Sequence, residues 1–192
     1  MWSGGLDSTA LIWDYLTRGY EVRAGYVAFR NNTWQTACEL QSIDRMLPFL
    51  EKHRFKFTGV IGWFKWNYAE NIGLRRAHCI VLASFLAMLN EPFDEMAIAV
   101  VRDDRVAKAD ISAIQSVFKS MRPLMENDNK LAFPLLRASK RQLFDSLPLE
   151  LAQRIWTCNN PKKRRRHQPC GRCDRCKAYA ELYRGGGVKR IY

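Results

Sequence analysis

The sequence predicts an α/β fold in which helices wind around a parallel sheet, with a small cysteine-rich module at the C-terminal end. The chain has 192 residues, of which 47% are hydrophobic, and this is enough for one packed core. Segments rich in Val, Tyr and Phe alternate with segments of helical spacing, which is typical of parallel strands joined by crossover helices. We therefore expect a main domain over residues 1–150 and the cysteine-rich module over residues 151–192.

The first elements follow from residue spacing and from the residues that end each run. Apolar residues recur at helical spacing over residues 8–18, and Gly19 lies where a helix would end. Residues 20–29 are rich in Tyr, Val and Phe and predict a strand. The elements predicted next are a helix over residues 33–53 with a break near Pro48, and a strand over residues 55–61.

The remainder of the chain continues the alternation of strands and helices. Residues 96–101 form an apolar run that predicts a buried strand. The other elements predicted are helices over residues 73–89 and 110–121, a short strand over residues 130–135, and helices over residues 139–147 and 174–183.

Nothing in the sequence predicts a membrane span or a secretory signal. The longest apolar stretch, residues 77–90, is shorter than the roughly 18 residues that cross a bilayer, and Ser84 interrupts it. The first residues have neither a basic start nor an apolar run of secretory type. We therefore expect a cytoplasmic location.

Positive charge is concentrated at the C-terminal end. Residues 1–150 hold 19 positive and 17 negative side chains, whereas residues 151–192 hold 12 positive and 2 negative. The second segment should attract phosphates or other anions. Its densest part is the run Lys162, Lys163, Arg164, Arg165 and Arg166. This run predicts either contact with nucleic acid or a solvated insertion, and it contains none of the interleaved aromatic residues that single-strand binders use.

A glycine-containing loop opens the first predicted helix. It consists of Ser3, Gly4, Gly5, Leu6, Asp7, Ser8 and Thr9. Such a loop combines glycine-permitted backbone conformations with the partial positive charge of a helix N-terminus, so it can hold a phosphate group. It lacks the Gly-Lys-Ser/Thr ending of a Walker A loop and the G-x-G-x-x-G spacing of a dinucleotide site. The alternative is an ordinary loop with an Asp or Ser helix cap.

The S-G-G-x-D-S pattern of this loop resembles the pyrophosphate loop of the N-type ATP pyrophosphatases. The resemblance implies that ATP is cleaved between its α and β phosphates, with pyrophosphate bound by the loop amides and by the Ser3 and Ser8 hydroxyls. Asp7 would help to organise Mg²⁺. In that superfamily a buried strand precedes the loop, and because only Met1 and Trp2 precede it here, we expect the first strand to be missing.

Four cysteines predict a metal site in the C-terminal module. They are Cys158, Cys170, Cys173 and Cys176, with the spacing C-x11-C-x2-C-x2-C. Two residues between cysteines allow neighbouring thiolates to reach one ion, and four thiolates are a set that structural zinc prefers. An iron-sulfur cluster or four reduced cysteines are the alternatives. The other two cysteines, Cys38 and Cys79, fall in predicted helices and are expected to be small buried hydrophobic residues.

The loop and the cysteines together resemble the 7-cyano-7-deazaguanine synthase family. Two further stretches between them are similar to that family, Phe133-Pro134-Leu135 and Ser139-Lys140. The resemblance implies ATP, Mg²⁺ and Zn²⁺ as cofactors, a homodimer, and a role in making queuosine and related 7-deazaguanine nucleosides. The implied reaction converts 7-carboxy-7-deazaguanine and ammonia into the nitrile through an adenylated carboxylate.

Candidate substrate residues follow from the same resemblance. Asp104 and Asp110 match two acidic residues of the family's substrate loop, where a carboxylate can accept hydrogen bonds from a guanine-like edge. They could also solvate the loop or cap the helix that begins near Asp110. Arg76 lies near a family arginine, although Arg75 fits almost as well. Lys140 would contact phosphate in a catalytic role with Asp7 and Ser8, or would face water.

The predicted substrate side departs from the family pattern, and this leaves other functions open. Lys108-Ala109-Asp110-Ile111 stands where the family has Tyr-Pro-Asp-Cys, and Glu39 alone matches another family stretch. One alternative is a reaction that stops at the amide or uses another acceptor such as tRNA, for which Cys79 is the candidate reactive thiol. A second alternative is a non-catalytic zinc protein that binds nucleic acid.

Overall fold

The computed structural model describes residues 1–29, 33–64, 81, 85, 93–103, 108–124, 129–161 and 168–186. In chain order the elements are α1 (Leu6–Thr17), β1 (Val22–Phe29), α2 (Thr33–Leu50), β2 (Phe55–Phe64), β3 (Glu95–Ala97), α3 (Lys108–Met121), a 3-10 turn (Arg122–Leu124), β4 (Lys130–Ala132), α4 (Lys140–Ser146), α5 (Leu149–Ala152) and α6 (Asp174–Gly186). Within these ranges, no helix has the length and apolar character required to cross a membrane.

The chain folds as a mixed α/β protein with short parallel strands. Strand β1 pairs with β2, and β3 pairs with β4, both in parallel. The described residues thus form two sheets of two strands each, where the sequence predicted a single wound sheet. The β1–β2 register shifts between Ala24 and Tyr26, opposite Gly59, whose φ of 84° is accessible to glycine without strain.

The predicted elements are largely confirmed, with three differences. The expected break near Pro48 is wrong, because α2 continues through Pro48 to Leu50. Ile43, Met46 and Leu50 are fully buried, and their packing outweighs the one backbone hydrogen bond that proline removes close to the helix end. Strands β3 and β4 are shorter than predicted, and α5 was not predicted. The predicted helix over residues 73–89 lies outside the described residues, except at positions 81 and 85, which are helical.

Trp2 anchors the N-terminal end of the chain beside β1. Its amide donates to the carbonyl of Gly25 at 2.8 Å, and its indole packs edge-on against Phe55 at 5.3 Å and Phe57 at 5.8 Å. The side chain is completely buried. The residues before the glycine loop are therefore held against the β1–β2 sheet although they form no strand of their own.

The C-terminal helix α6 packs into the same core as the N-terminal elements. Tyr179 and Tyr183 belong to the buried cluster that includes Leu6 and Ile12 of α1. The Tyr183 hydroxyl donates to the carbonyl of Ala152 at 2.6 Å. Residues on both sides of the expected domain boundary at position 150 thus share one core, and the division into a main domain and a module stays a prediction.

Candidate metal centre and the adjoining glycine loop

The four predicted metal-binding cysteines come together in space. The sulfur atoms of Cys158, Cys170, Cys173 and Cys176 all lie within 4.8 Å of one another, and all but Cys173 are buried. Cys158 follows the loop after α5, whereas Cys176 lies in the first turn of α6. Gly171, with a φ of 73°, allows the chain to turn sharply between Cys170 and Cys173.

Backbone amides surround the sulfur atoms as they do in thiolate metal sites. The Cys158 sulfur accepts from the amides of Asn160 at 3.3 Å and Cys170 at 3.2 Å. The Cys170 sulfur accepts from the amide of Cys173 at 3.3 Å. Hydrogen bonds of this kind stabilise negative charge on sulfur and orient the ligands.

The pKa shifts of Cys158, Cys170 and Cys176 differ in direction. Burial raises the pKa of Cys158 and of Cys176. Burial also acts on Cys170, but hydrogen bonds from the amides of Arg172 and Cys173 outweigh it and lower the pKa of that thiol to about 6. Cys170 therefore ionises more readily than Cys158 and Cys176, and a bound cation would be needed to hold those two as thiolates.

This arrangement fits a zinc ion. Four sulfurs at the usual Zn–S distance of about 2.3 Å stand roughly 3.8 Å apart around a tetrahedral ion. Here the Cys170 and Cys176 sulfurs are 3.9 Å apart, and no pair in the set exceeds 4.8 Å. The group could hold zinc with four protein ligands and no open position, as structural sites do.

Cys38 lies next to the four cysteines without belonging to their set. It is buried in α2 and packs in the cluster that contains Trp156 and Cys158, which confirms the expected role of a small hydrophobic residue. Burial, followed by the proximity of Cys158 and Glu39, raises the pKa of its thiol to about 11. Cys38 therefore stays protonated at neutral pH. Cys79 lies outside the described residues.

The glycine loop has the geometry of a tight turn into a helix. Gly4 has a φ of 68°, and Gly5 is the cap residue that precedes α1. The Ser3 and Ser8 hydroxyls are 3.3 Å apart, and the amide of Gly5 donates to the Ser3 hydroxyl at 3.4 Å. These contacts are at the long limit for hydrogen bonds, so an anion could replace them at little cost.

Two of the predicted loop residues face the core. Leu6 is buried in the same apolar cluster as Tyr179 of α6. Thr9 is completely buried, and its hydroxyl accepts from the indole nitrogen of Trp2 at 2.9 Å. These two residues hold the loop in place, whereas Ser3, Asp7 and Ser8 are partly exposed and accessible to a ligand.

Lys140, for which the sequence leaves open a phosphate contact or a position facing water, lies beside the loop. Its ammonium nitrogen is 3.7 Å from a carboxylate oxygen of Asp7. Lys140 is placed there by a capping box, in which Ser139 and Gln142 exchange hydrogen bonds at the start of α4. The Asp103 carboxylate accepts from the Lys140 amide at 2.7 Å and completes that helix start.

The loop and the cysteines adjoin each other directly. The Gly4 carbonyl accepts from the amide of Trp156 at 2.9 Å, two residues before Cys158. The Ser42 hydroxyl in α2 lies 3.4 Å from the same carbonyl and donates to the carbonyl of Arg154 at 2.6 Å. Sequence reasoning missed Ser42 and Trp156 as loop contacts, because no local pattern links positions so far apart in the chain.

The expected substrate side is only partly described. Asp110 is half-buried in the first turn of α3. Glu39 is buried, accepting from the Tyr26 hydroxyl at 2.5 Å and from the side-chain amide of Gln35 at 2.7 Å. Other residues that the sequence singled out lie outside the described residues, namely Arg75, Arg76, Asp104 and the basic run at positions 162–166.

Comparison with known proteins gives no relative for this chain. No protein-family model, no curated protein and no solved structure matches it. The features that bear on its chemistry are the two adjoining regions, the glycine loop of residues 3–9 and the four-cysteine centre.

Proposed function

We propose that the chain is an ATP-dependent carbon-nitrogen ligase of the 7-cyano-7-deazaguanine synthase type, which uses a pyrophosphatase loop and a structural zinc ion. The observation that carries the proposal is the convergence of Ser3, Ser8, Asp7 and Lys140 around the start of α1. Hydroxyls, a helix N-terminus and a lysine suit the phosphates of a nucleotide, and a carboxylate beside them suits Mg²⁺.

The proposed reaction needs positioning and charge stabilisation more than a side-chain nucleophile. An oxygen of the substrate carboxylate attacks the α-phosphorus of ATP, and pyrophosphate leaves. Ammonia then attacks the acyl carbon, loses a proton, and AMP departs to leave an amide. In a second round the amide oxygen attacks another ATP, again releasing pyrophosphate. Loss of AMP and of the amide protons then gives the nitrile.

Each loop residue has a proposed task in these steps. The Ser3 and Ser8 hydroxyls and the glycine amides would hold the pyrophosphate while it leaves. Lys140 would offset the charge that develops on it, and Asp7 would fix both Lys140 and Mg²⁺. The four cysteines would hold zinc, which supplies structural stability to the module and takes no part in bond making.

The test is a turnover assay with purified zinc-loaded protein, Mg-ATP, ammonium and 7-carboxy-7-deazaguanine. Substrate-dependent release of pyrophosphate and AMP, with the nitrile identified by mass, is the expected result. Formation of the amide alone would show that the reaction ends early. Absence of pyrophosphate release and of ATP binding would overturn the proposal, and retention of RNA or DNA at low salt would then favour the non-catalytic alternative.

A variant pair on α4 tests the role of Lys140. We expect Lys140→Gln to lower kcat/KM for ATP by about tenfold or more, which corresponds to about 1.4 kcal/mol of lost stabilisation. Arg141→Gln is the matched control, because Arg141 is the next cation on the same helix and pairs with Asp145 at 2.7 Å. Equal kinetics in the two variants would remove Lys140 from the site.

A further inference from the structure

The start of α4 is tied to the chain segment that follows β3. The Arg102 amide donates to the carbonyl of Ala138 at 3.0 Å, and the Asp103 carboxylate accepts from the Lys140 amide at 2.7 Å. Ala138 and Lys140 lie on either side of Ser139, the cap residue of α4. The two hydrogen bonds therefore hold the helix start on both sides of its cap.

The sheet formed by β3 and β4 brings these two segments to the same edge. The strands are parallel, and the Ile98 amide extends their pairing by donating to the carbonyl of Ala132 at 2.9 Å. Beyond the strands, Val101 and Leu135 are buried in the main core and anchor both segments. Both segments thus leave the sheet at its carboxyl edge, the edge at which open α/β sheets bind their ligands.

The Asp103 carboxylate supplies the acceptor that the first amide of α4 needs. The first amides of a helix have no acceptor within the helix. In the capping box the Ser139 hydroxyl accepts from the amide of Gln142, so the Lys140 amide is served by Asp103 instead. The other oxygen of the same carboxylate lies 3.6 Å from the guanidinium nitrogen of Arg102. Hydrogen bonds to a carboxylate are stronger than those between neutral groups, so this contact suits a fixed helix start.

The backbone of Lys140 decides where its ammonium group can lie. Buried Leu143 and Phe144 hold the second turn of α4 in the core, whereas the first turn is at least partly exposed. Core packing alone therefore does not fix the residue that begins the helix. The long lysine side chain has many rotamers, and it stays 3.7 Å from the Asp7 carboxylate at the lowest entropic cost when its backbone is held.

We propose that Asp103 is a positioning residue of the pyrophosphate site, which fixes the start of α4 so that the Lys140 ammonium reaches the glycine loop. Asp103 acts through an acceptor oxygen on the Lys140 amide and touches no substrate. The choice of pyrophosphate as the ligand rests on the proposed function. The placement of the Lys140 ammonium beside Asp7 does not depend on that choice.

Three single variants test this role. Asp103→Ala removes the acceptor of the Lys140 amide. Asp103→Asn removes the charge but keeps an oxygen that can accept from the same amide, so it should rescue the position of Lys140. Asp145→Ala is the matched control, because it removes another exposed carboxylate in contact with α4, one that accepts from Arg141 at 2.7 Å and lies away from the helix start.

Titration of each zinc-loaded protein with Mg-pyrophosphate measures the effect. We expect Asp103→Ala to bind about fivefold more weakly than wild type, Asp103→Asn to bind within about twofold of wild type, and Asp145→Ala to bind normally. Equal affinity in Asp103→Ala and wild type overturns the proposal. A loss in Asp103→Asn as large as that in Asp103→Ala also overturns it, because the carboxylate charge would then matter more than the hydrogen bond.

The same substitution in a Lys140→Gln background separates positioning from a general effect on the fold. Asp103 is proposed to act only through Lys140, so Asp103→Ala should cause no further loss of pyrophosphate affinity once the ammonium group is gone. A second loss of about fivefold in the double variant would mean that Asp103 supports the site independently of Lys140, and it would overturn the proposal.

An NMR measurement without ligand distinguishes failure of this inference from failure of the proposed function. The side-chain ε-carbon resonance of Lys140 is assigned by its absence in Lys140→Gln. We expect Asp7→Asn to shift this resonance, and to shift it less than about half as much in the Asp103→Ala background, because the ammonium then lies farther from position 7. If wild type binds neither pyrophosphate nor ATP, the proposed function fails and this resonance still decides the inference. Equal shifts in the two backgrounds overturn it.

Discussion

The four-cysteine centre and the glycine loop adjoin each other but are built in opposite ways. Three of the four cysteines lie within seven consecutive residues, and nearby amides orient their sulfurs. The loop takes its shape from distant parts of the chain, since Ser42 and Trp156 hold it through the Gly4 carbonyl. The comparison shows that a short motif can supply most of a candidate metal-ligand set, whereas the shape of a glycine loop of the same length depends on the completed fold.

The two regions also differ in charge. Four thiolates around Zn²⁺ would carry a net charge of about −2, and the exposed cations Arg172, Arg175 and Lys177 are close to them in the sequence. The loop combines the positive end of α1 with the Lys140–Asp7 pair. A soft cation suits the first region and a phosphate suits the second, so the expected ligands do not compete for the same groups.

The largest effect is expected from loss of a cysteine ligand. Cys176→Ser should abolish stoichiometric zinc binding and lower the free energy of unfolding by about 3 kcal/mol or more, because metal binding contributes directly to folding. Metal analysis after gel filtration and urea unfolding would measure both quantities. A chelator should have the same effect on wild type.

Cys38→Ala is the matched control for that variant. Cys38 is buried against the same cluster but lies outside the set of four sulfurs. We expect it to keep one zinc per chain and to lose only about 1 kcal/mol from the smaller side chain. Loss of zinc in Cys38→Ala, or its retention in Cys176→Ser, contradicts the assignment of the ligands.

A change at Gly4 in the loop is expected to affect stability less than the loss of a cysteine ligand does, but to weaken pyrophosphate binding strongly. Gly4→Ala should lower affinity for pyrophosphate by at least about tenfold, because a Cβ there would press on Ser42 and on the Glu39 carbonyl. Isothermal titration with Mg-pyrophosphate would measure the loss.

Gly19→Ala separates backbone strain from crowding. Gly19 has a φ of 83°, similar to the 68° of Gly4, but a Cβ there meets no atom within 4 Å. We expect a loss of about 1 kcal/mol in the free energy of unfolding, from the left-handed backbone alone, and unchanged pyrophosphate affinity. Equal binding by the two variants contradicts the view that the turn at Gly4 is shaped by its neighbours.

The cysteine centre and most helices could be predicted from the sequence, because their signals are local. Cysteine spacing indicated the four ligands, and apolar periodicity located α1, α3 and α4 to within about two residues. Ser139 and Gln142 form a capping box, whose residue spacing can be read directly from the sequence.

The contacts that shape the loop could not be predicted, because they depend on the tertiary fold. The amide of Trp156 and the carbonyl of Gly4 meet only once the chain has folded, because they are far apart in the sequence. The break predicted near Pro48 is wrong for a related reason, because buried residues of α2 outweigh the tendency of proline to end a helix. Strand lengths also depend on pairing partners, which the chain order alone does not fix.

The smallest effect is expected at the far end of α1, away from both regions. The Tyr15 hydroxyl donates to the Glu95 carboxylate, and burial followed by this bond raises the pKa of Tyr15 from 10 to about 12. A pKa raised on folding stabilises the folded state fully below pH 10, and this stabilisation disappears as the pH rises through about 12. Tyr15→Phe should therefore reduce the free energy of unfolding by about 0.5–1 kcal/mol at pH 8, with a smaller difference at pH 11, since the contact is partly exposed. Urea unfolding at the two pH values measures this difference. Tyr15 is two turns away from Asp7, so neither zinc content nor pyrophosphate affinity should change in Tyr15→Phe. A change in either quantity would mean that the loop responds to α1 as a whole and not to its connections with the cysteine centre.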